Sequence, residues 1–233
     1  MTAHFQSLDE FLAAVDRDGA VGETRARAEA TMSRRGLFGL TFAGAGAILL
    51  ARAPGAGAAG LPAPDLDILN YALVLEYLQA SFYTEAERSG ALHGRTAEAA
   101  RVVGATERAH VKAFLHLLGS KAVKRPTFNF QGTTEQQRPF LKTAVAFEDL
   151  AVAAYKGQAP KLQSNAVLAA AVGIHSVEAR HAAWMRQLFG ITPAVNAFDR
   201  PSSRASINRI VTSTRFIVAK PRMKARTKPE FTG

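Results

Sequence analysis

The chain has 233 residues, 48% of them hydrophobic and 21% charged, which is enough apolar material for one domain with a sizeable core. It carries a formal net charge of +10 and no cysteine. The missing thiols exclude disulfides, cysteine-ligated zinc and iron–sulfur clusters. Any metal must rest on His and carboxylate donors, which suit iron and manganese better than copper(I).

The first sixty residues stand apart from that core. An amphipathic stretch, "FQSLDEFLAAVDRDGAV", precedes "SRRGLF" at 33–38 and the run "GLTFAGAGAILLARAPGAGAAG". A cationic pair, a Gly/Ala-rich apolar run of about fifteen residues and small residues beyond it make the pattern of an export signal. As a membrane anchor the run is too short and too rich in Gly. It resembles a twin-arginine signal with Arg34 and Arg35 as the pair, and departs from one in the order Leu37-Phe38. Residues 1–58 are read as this region, with cleavage after Ala58 and with Met32 as an alternative start to Met1. The resemblance implies passage through the twin-arginine export machinery to the periplasm or cell envelope.

From Asp65 onward the pattern is helical. "DLDILNYALVLEYLQASFYTEAERSG" takes Asp65 as its cap and stops at Gly90. "TAEAARVVGATERAHVKAFLHLLG" closes at Gly119, "TTEQQRPFLKTAVAFEDLAVAAYKGQAP" ends at a Gly and a Pro, and "KLQSNAVLAAAVGIHSVEARHAAWMRQLFG" ends at Gly190. Four long Ala- and Leu-rich helices with apolar stripes, and no convincing strand pattern, predict an all-α bundle. Short links make antiparallel hairpins of the first and second helices and of the third and fourth. The connector between the hairpins, "SKAVKRPTFNFQGT", spans roughly 46 Å when extended, against about 36 Å for a 24-residue helix. A crossover running the length of the bundle is therefore expected.

The second hairpin repeats the first. Glu107, His110 and Gly119 are matched at the same offsets by Glu178, His181 and Gly190; Glu76 is followed seven residues later by Tyr83, and Glu148 by Tyr155. A Glu and a His three apart share one helix face. One such pair is ordinary surface chemistry, but a duplicated one is not. Glu76 lies in "YALVLEYLQASF", Glu148 in "AVAFEDLAVAAY" and Glu178 in "AVGIHSVEARHAAW", all apolar settings. Facing inward, four carboxylates and two imidazoles would share one interior, where unpaired ionised carboxylates cost several kcal/mol each. Two divalent cations would cancel four carboxylates and leave both imidazoles neutral.

One Glu from each of two helices plus Glu-x-x-His from each of the others is the donor set of di-metal carboxylate bundles. On "LEYLQASFY", "TERAH", "FED" and "VEARH", residues 64–190 resemble the ferritin-like superfamily, and most of all its exported members that include plant desiccation-related proteins. The resemblance implies a ferritin-like four-helix bundle with a long crossover between the second and third helices. It implies two iron ions, with manganese the alternative, held by Glu76, Glu107, His110, Glu148, Glu178 and His181, one of the paired glutamates bridging them. The function it implies is oxidation of ferrous ion, or reduction of dioxygen or peroxide. The alternative is a non-catalytic metal-binding or stress-protective envelope protein. A closed storage shell fits poorly with the basic tail and the signal.

Other residues have plainer expectations. His175 is read as a satisfied core or surface histidine before a site residue. Gln79, one turn after Glu76, is placed to meet a ligand or bound water. Tyr83 and Tyr155 stand about 10 Å along the axis from their glutamates, so packing is expected of them, as it is of Trp184. Met185 and Met223 make no matched axial pair for a haem. The C-terminal extension, 191–233, holds nine Lys/Arg and one acidic residue from Arg200 onward. It reads as a solvated, partly disordered arm. No nucleic-acid partner is expected of an exported chain; anionic envelope polymer or lipid headgroups suit the arm better, and a homo-oligomer stays open.

Overall fold

The structure, a computed structural model, describes residues 60–194 and 196–218. The export signal with Arg34 and Arg35, the cleavage point at Ala58, Met223 and the last basic run all lie outside the described residues. Four long helices carry the chain: α1 (Ala63–Ser89), α2 (Gly94–Leu118), α3 (Gln137–Gln158) and α4 (Asn165–Phe189). A short helix α5 (Arg204–Thr214) follows, and two-residue strands β1 (Thr127–Phe128) and β2 (Ile217–Val218) pair antiparallel. The all-α bundle expected from periodicity is present. The strand pair is an addition, too short for a period of two to register in the sequence.

Helix ends follow local chemistry. Gly90 and Gly190 close α1 and α4 at φ 66 and 85, a left-handed turn that glycine enters without steric cost. Ser164 caps α4 by accepting from the Val167 N–H. The third helix begins at Gln137, four residues later than its pattern suggests. Pro139 has no N–H to give a preceding turn, so it fits only within the first turn. Asp65 is not the cap of α1, which starts at Ala63 after Pro62. Its buried carboxylate instead accepts the N–H groups of Gln163 and Ser164 at 2.9 Å each, tying the start of α1 to the α3–α4 link.

The crossover runs the length of α1. Lys121 and Val123 bond to Asn70, Val123 also to Tyr77, Arg125 to Ser81, and Thr134 to Glu85 and Ser89. From Asn70 to Ser89 is about 28 Å of helix. So α2 ends beside the start of α1, and α3 begins beside its end, where the His93 N–H meets the Gln137 side chain. Helices α2 and α3 both run antiparallel to α1, and α4, returning after a short link, runs parallel to it.

Two apolar clusters fill the bundle. On α2, Ala99, Ala100 and Val103 belong to one, and Ala113, Phe114, Leu117 and Leu118 to the other; Glu107 and His110 fall between them. On α4, Val167, Ala170 and Ile174 are separated from Met185 by Glu178 and His181. Phe82, stacked on Phe140 at 5.1 Å and edge-on to Phe130 and Phe147, centres the first cluster. Residues 200–218 are no solvated arm. Phe216 is buried against Phe130 and Phe147, the Ser202 N–H bonds the Ala153 carbonyl, and Arg204 lies over the Tyr71 ring. A Cβ on Gly157 would collide with the Ser202 carbonyl, so the close approach of this segment to α3 depends on glycine there.

Candidate metal centre

All six predicted donors are buried in one layer. Glu76 comes from α1, Glu107 and His110 from α2, Glu148 from α3, and Glu178 and His181 from α4. They form two groups of four, Glu76–Glu107–His110–Glu178 and Glu107–Glu148–Glu178–His181, each with donor atoms within 4.8 Å of one another. His110 Nδ1 lies 3.2 Å from Glu76 Oε2, 3.6 Å from Glu107 Oε2 and 3.2 Å from Glu178 Oε1. His181 Nδ1 lies 3.0 Å from Glu107 Oε1, 3.5 Å from Glu148 Oε2 and 3.9 Å from Glu178 Oε2. Glu107 and Glu178 each send one oxygen to either group. The sequence suggests one bridging glutamate; the arrangement sets both between the groups.

The donors fit a cation better than they fit one another. Both oxygens of Glu107 and of Glu178, Glu148 Oε2 and His181 Nδ1 are buried without a hydrogen-bond partner. His181 Nδ1 and Glu107 Oε1 are close enough for a hydrogen bond, but their angle is not that of one. Lone pairs that converge on a common point have this geometry. Two donors at about 2.1 Å from one ion stand about 3.0 Å apart at right angles, close to the spacings here. Buried polar atoms are normally satisfied, so this many orphans in one layer mark a place for positive charge.

Residues 64–190 match the family described as the ferritin-like domain. The chain belongs to that family. No curated protein matches it.

The ferritin-like layer has a definite electrostatic state when no cation occupies it. Burial pushes the Glu178 carboxyl well above the usual carboxylate range, and the charge of Glu107 adds to the rise. Burial also raises Glu76, against the pull of His110. For Glu107, burial is outweighed by the His110 and His181 imidazoles, which hold its carboxyl down at about 2. Burial opposes protonation of both imidazoles, but the carboxylates win, Glu76 and Glu107 raising His110 and Glu107 and Glu148 raising His181, each well above its ordinary value. The metal-free centre therefore holds protons where cations would sit, and loading must release them.

Sequence reasoning missed the roles of two tyrosines. The Tyr83 hydroxyl donates to Glu148 Oε1 at 2.5 Å, and the Tyr155 hydroxyl donates to Glu76 Oε1. Each crosses to the other hairpin. Tyrosine is long enough for each hydroxyl to reach from its own helix to the glutamate of the antiparallel helix opposite. The seven-residue offset, repeated in both hairpins, was the available signal. Burial, with the adjacent carboxylates, raises both phenols well above their ordinary value and keeps them as donors.

The other candidates stay outside the centre. His175 is half-buried, and burial lowers its pKa; Asp199 and Lys156, not the donor layer, are the charges it feels. Trp184 packs against the first apolar cluster and Met185 is buried within it. Gln79 is buried with its amide nitrogen unpartnered, and no hydrogen bond ties it to the donors.

Proposed function

We propose that this chain is an exported ferritin-like protein holding two iron ions, and that it oxidises ferrous ion with dioxygen. The observation that carries the reading is the pair of four-donor groups sharing Glu107 and Glu178, with their oxygens otherwise orphaned. Two divalent ions carry +4, which matches four carboxylates with both imidazoles neutral. Ferrous iron is the substrate. Two ferrous ions give up two electrons in all; dioxygen accepts them with two protons and leaves as hydrogen peroxide.

The chain's own residues set the conditions. Glu107 and Glu178 each turn one oxygen toward either group, so these two residues would hold both ions to one framework. Glu76 and His110 complete one group, and Glu148 and His181 the other. Tyr155 and Tyr83 fix the outer carboxylates, so these keep their orientation as charge changes beside them. The apolar clusters on either side exclude water from the layer.

Anaerobic titration with ferrous ion should saturate near two per chain, and admission of dioxygen should then consume about one molecule per two irons, as the electron count requires. Binding near zero by the folded chain would sink the site. Saturation at two without oxygen uptake would leave the non-catalytic, stress-protective alternative in place.

Export belongs to the same proposal. It is supported by "SRRGLF" and the apolar run that follows it. Among the described residues no helix is long and apolar enough to cross a membrane. Replacing Arg34 and Arg35 by Lys should retain the protein in the cytoplasm with iron binding intact, because Lys does not reproduce guanidinium geometry. Wild-type amounts of the double variant outside the cytoplasm would refute the twin-arginine route. An anionic envelope surface is the partner we propose for the basic run beyond residue 218.

A further inference from the structure

One helical turn from the donor layer lies a cavity of about 30 Å³. Its position follows from spacing. Ala72 stands one turn before Glu76, Phe114 one turn after His110 and Ile174 one turn before Glu178, and all three line it. Since α1 and α4 run antiparallel to α2, these offsets point to the same end of the bundle, about 5.4 Å from the donors. Tyr155 supplies the direct link: its ring lines the cavity while its hydroxyl donates to Glu76.

Size and chemistry restrict the occupant. About 10–15 Å³ of such space is enough for one water, whereas an apolar cavity that takes benzene is on the order of 150 Å³. Apart from Tyr155, only Tyr71 and Gln158 bring polar groups to the wall; every other lining residue is hydrocarbon. A buried water typically makes about three hydrogen bonds, and the free Tyr71 hydroxyl and Gln158 amide nitrogen supply two at most. A small apolar molecule matches such a space better than water does.

We infer that this cavity binds dioxygen, holding it one side-chain layer from Glu76, His110 and Glu178. The inference rests on the dioxygen-consuming reading of the centre and adds the place where the oxidant waits. It also accounts for alanines at 72, 154, 170 and 171 around the space, since a larger side chain at any of them would reduce it.

Dioxygen is paramagnetic, so the test needs no metal. In the full chain without iron, dissolved dioxygen should relax the methyl signals of Ala170, Ala171 and Ile174 several-fold more than those of Leu73 and Leu118, which are fully buried but do not line the cavity. Ala171→Val should remove the excess, and Ile174→Ala should enlarge it. Equal relaxation of lining and non-lining methyls would overturn the inference, as would an excess that neither variant changes. In the iron-loaded chain at limiting dioxygen, Ala171→Val should slow oxygen uptake several-fold with ferrous stoichiometry unchanged. Uptake at the wild-type rate would remove the cavity from the path. A cavity that relaxes as expected beside a centre that never consumes dioxygen would break the functional reading and leave the binding site standing.

Discussion

The two hairpins, α1–α2 and α3–α4, carry the same donors at the same offsets and yet are not equivalent. Glu107 and Glu178 occupy matching places, each three residues before a histidine and each buried. One is held down at about 2 while the other is pushed well above the ordinary range. Four carboxylates in one dry layer cannot all be charged without cations: against burial the two imidazoles pull Glu107 down, while burial and the charge of Glu107 push Glu178 up. Neither hairpin holds a complete group either. Each donor group takes one shared glutamate from the opposite hairpin, and each outer carboxylate takes its tyrosine from there as well. The repeated offsets supply the donors, and each four-donor group is complete only when the two hairpins pair.

That comparison is sharpest when broken at the shared glutamates. Glu107→Ala and Glu178→Ala each remove a donor from both groups, so iron stoichiometry should fall from two per chain toward zero. Glu76→Ala and Glu148→Ala each strike one group, and stoichiometry should fall toward one. Elemental analysis after anaerobic loading, with circular dichroism to show folding, checks both. An equal loss at all four positions would mean that Glu107 and Glu178 do not bridge.

Proton occupancy gives the next largest effect. In the metal-free fold Glu76, Glu178, His110 and His181 all have raised affinity for protons. A group whose folded pKa is raised adds stability that is full below its unfolded value and lost as pH climbs through its folded value. Glu107, at about 2, acts oppositely, and its contribution fades below about pH 4.5. The apo-protein should therefore gain melting temperature between pH 8 and about pH 5, and lose it again in stronger acid. One pK unit corresponds to about 1.4 kcal/mol, and 1 kcal/mol to about 2–4 °C for a domain of this size. Iron loading should raise the melting temperature and flatten the rise on acidification. A metal-free melting temperature that falls steadily from pH 8 would contradict the buried layer.

Much of this was legible before any coordinates. The Glu-x-x-His repeat carries the donor set because a helix fixes side chains three and four apart on one face, and a buried glutamate among Leu and Val announces its own cost. The crossover was legible from its length alone. Three things were not. The start of α1 two residues before Asp65 depends on a partner nearly a hundred residues away, the Gln163 and Ser164 N–H groups, which no local cap rule sees. The tyrosine–glutamate bonds depend on the relative heights of α1 and α3. The C-terminal segment reads as a charged arm by composition, while its fold is decided by Ile207, Val211 and Phe216, three apolar residues spaced among arginines.

Removing the crossed tyrosine bonds separates symmetry in geometry from symmetry in energy. Tyr83→Phe and Tyr155→Phe each take one donor from a buried carboxylate, a loss of about 1.5–3 kcal/mol for a hydrogen bond to a charged group. The two should cost similar amounts in the loaded protein, where both outer carboxylates are charged. Without metal, Tyr155→Phe should cost less than it does in the loaded protein, because burial raises the Glu76 carboxyl toward its neutral form. Calorimetry of both variants with and without iron measures the four values. A Tyr155→Phe loss that is the same with and without iron would show that Glu76 carries the same charge in both states.

The smallest effect concerns how the hairpins are covered, for the crossover lies along α1 while residues 200–218 lie against α3 and the start of α1. Arg204 anchors that second cover through its ion pair with Asp67 and its position 4.7 Å from the Tyr71 ring centroid. Both partners of the ion pair are substantially exposed, at 40% and 63%. Such pairs contribute about 0.2–1 kcal/mol, and an exposed cation–π contact about 0.5–1 kcal/mol. Arg204→Ala should therefore lower the melting temperature by only a few degrees and leave iron stoichiometry at two, because Ile207, Val211 and Phe216 still bury themselves in the bundle. A fall of 10 °C or more, by the scale of about 2–4 °C per kcal/mol, would show that the cover is held at its arginine and not by its apolar face, and that the second hairpin depends on it as the first depends on the crossover.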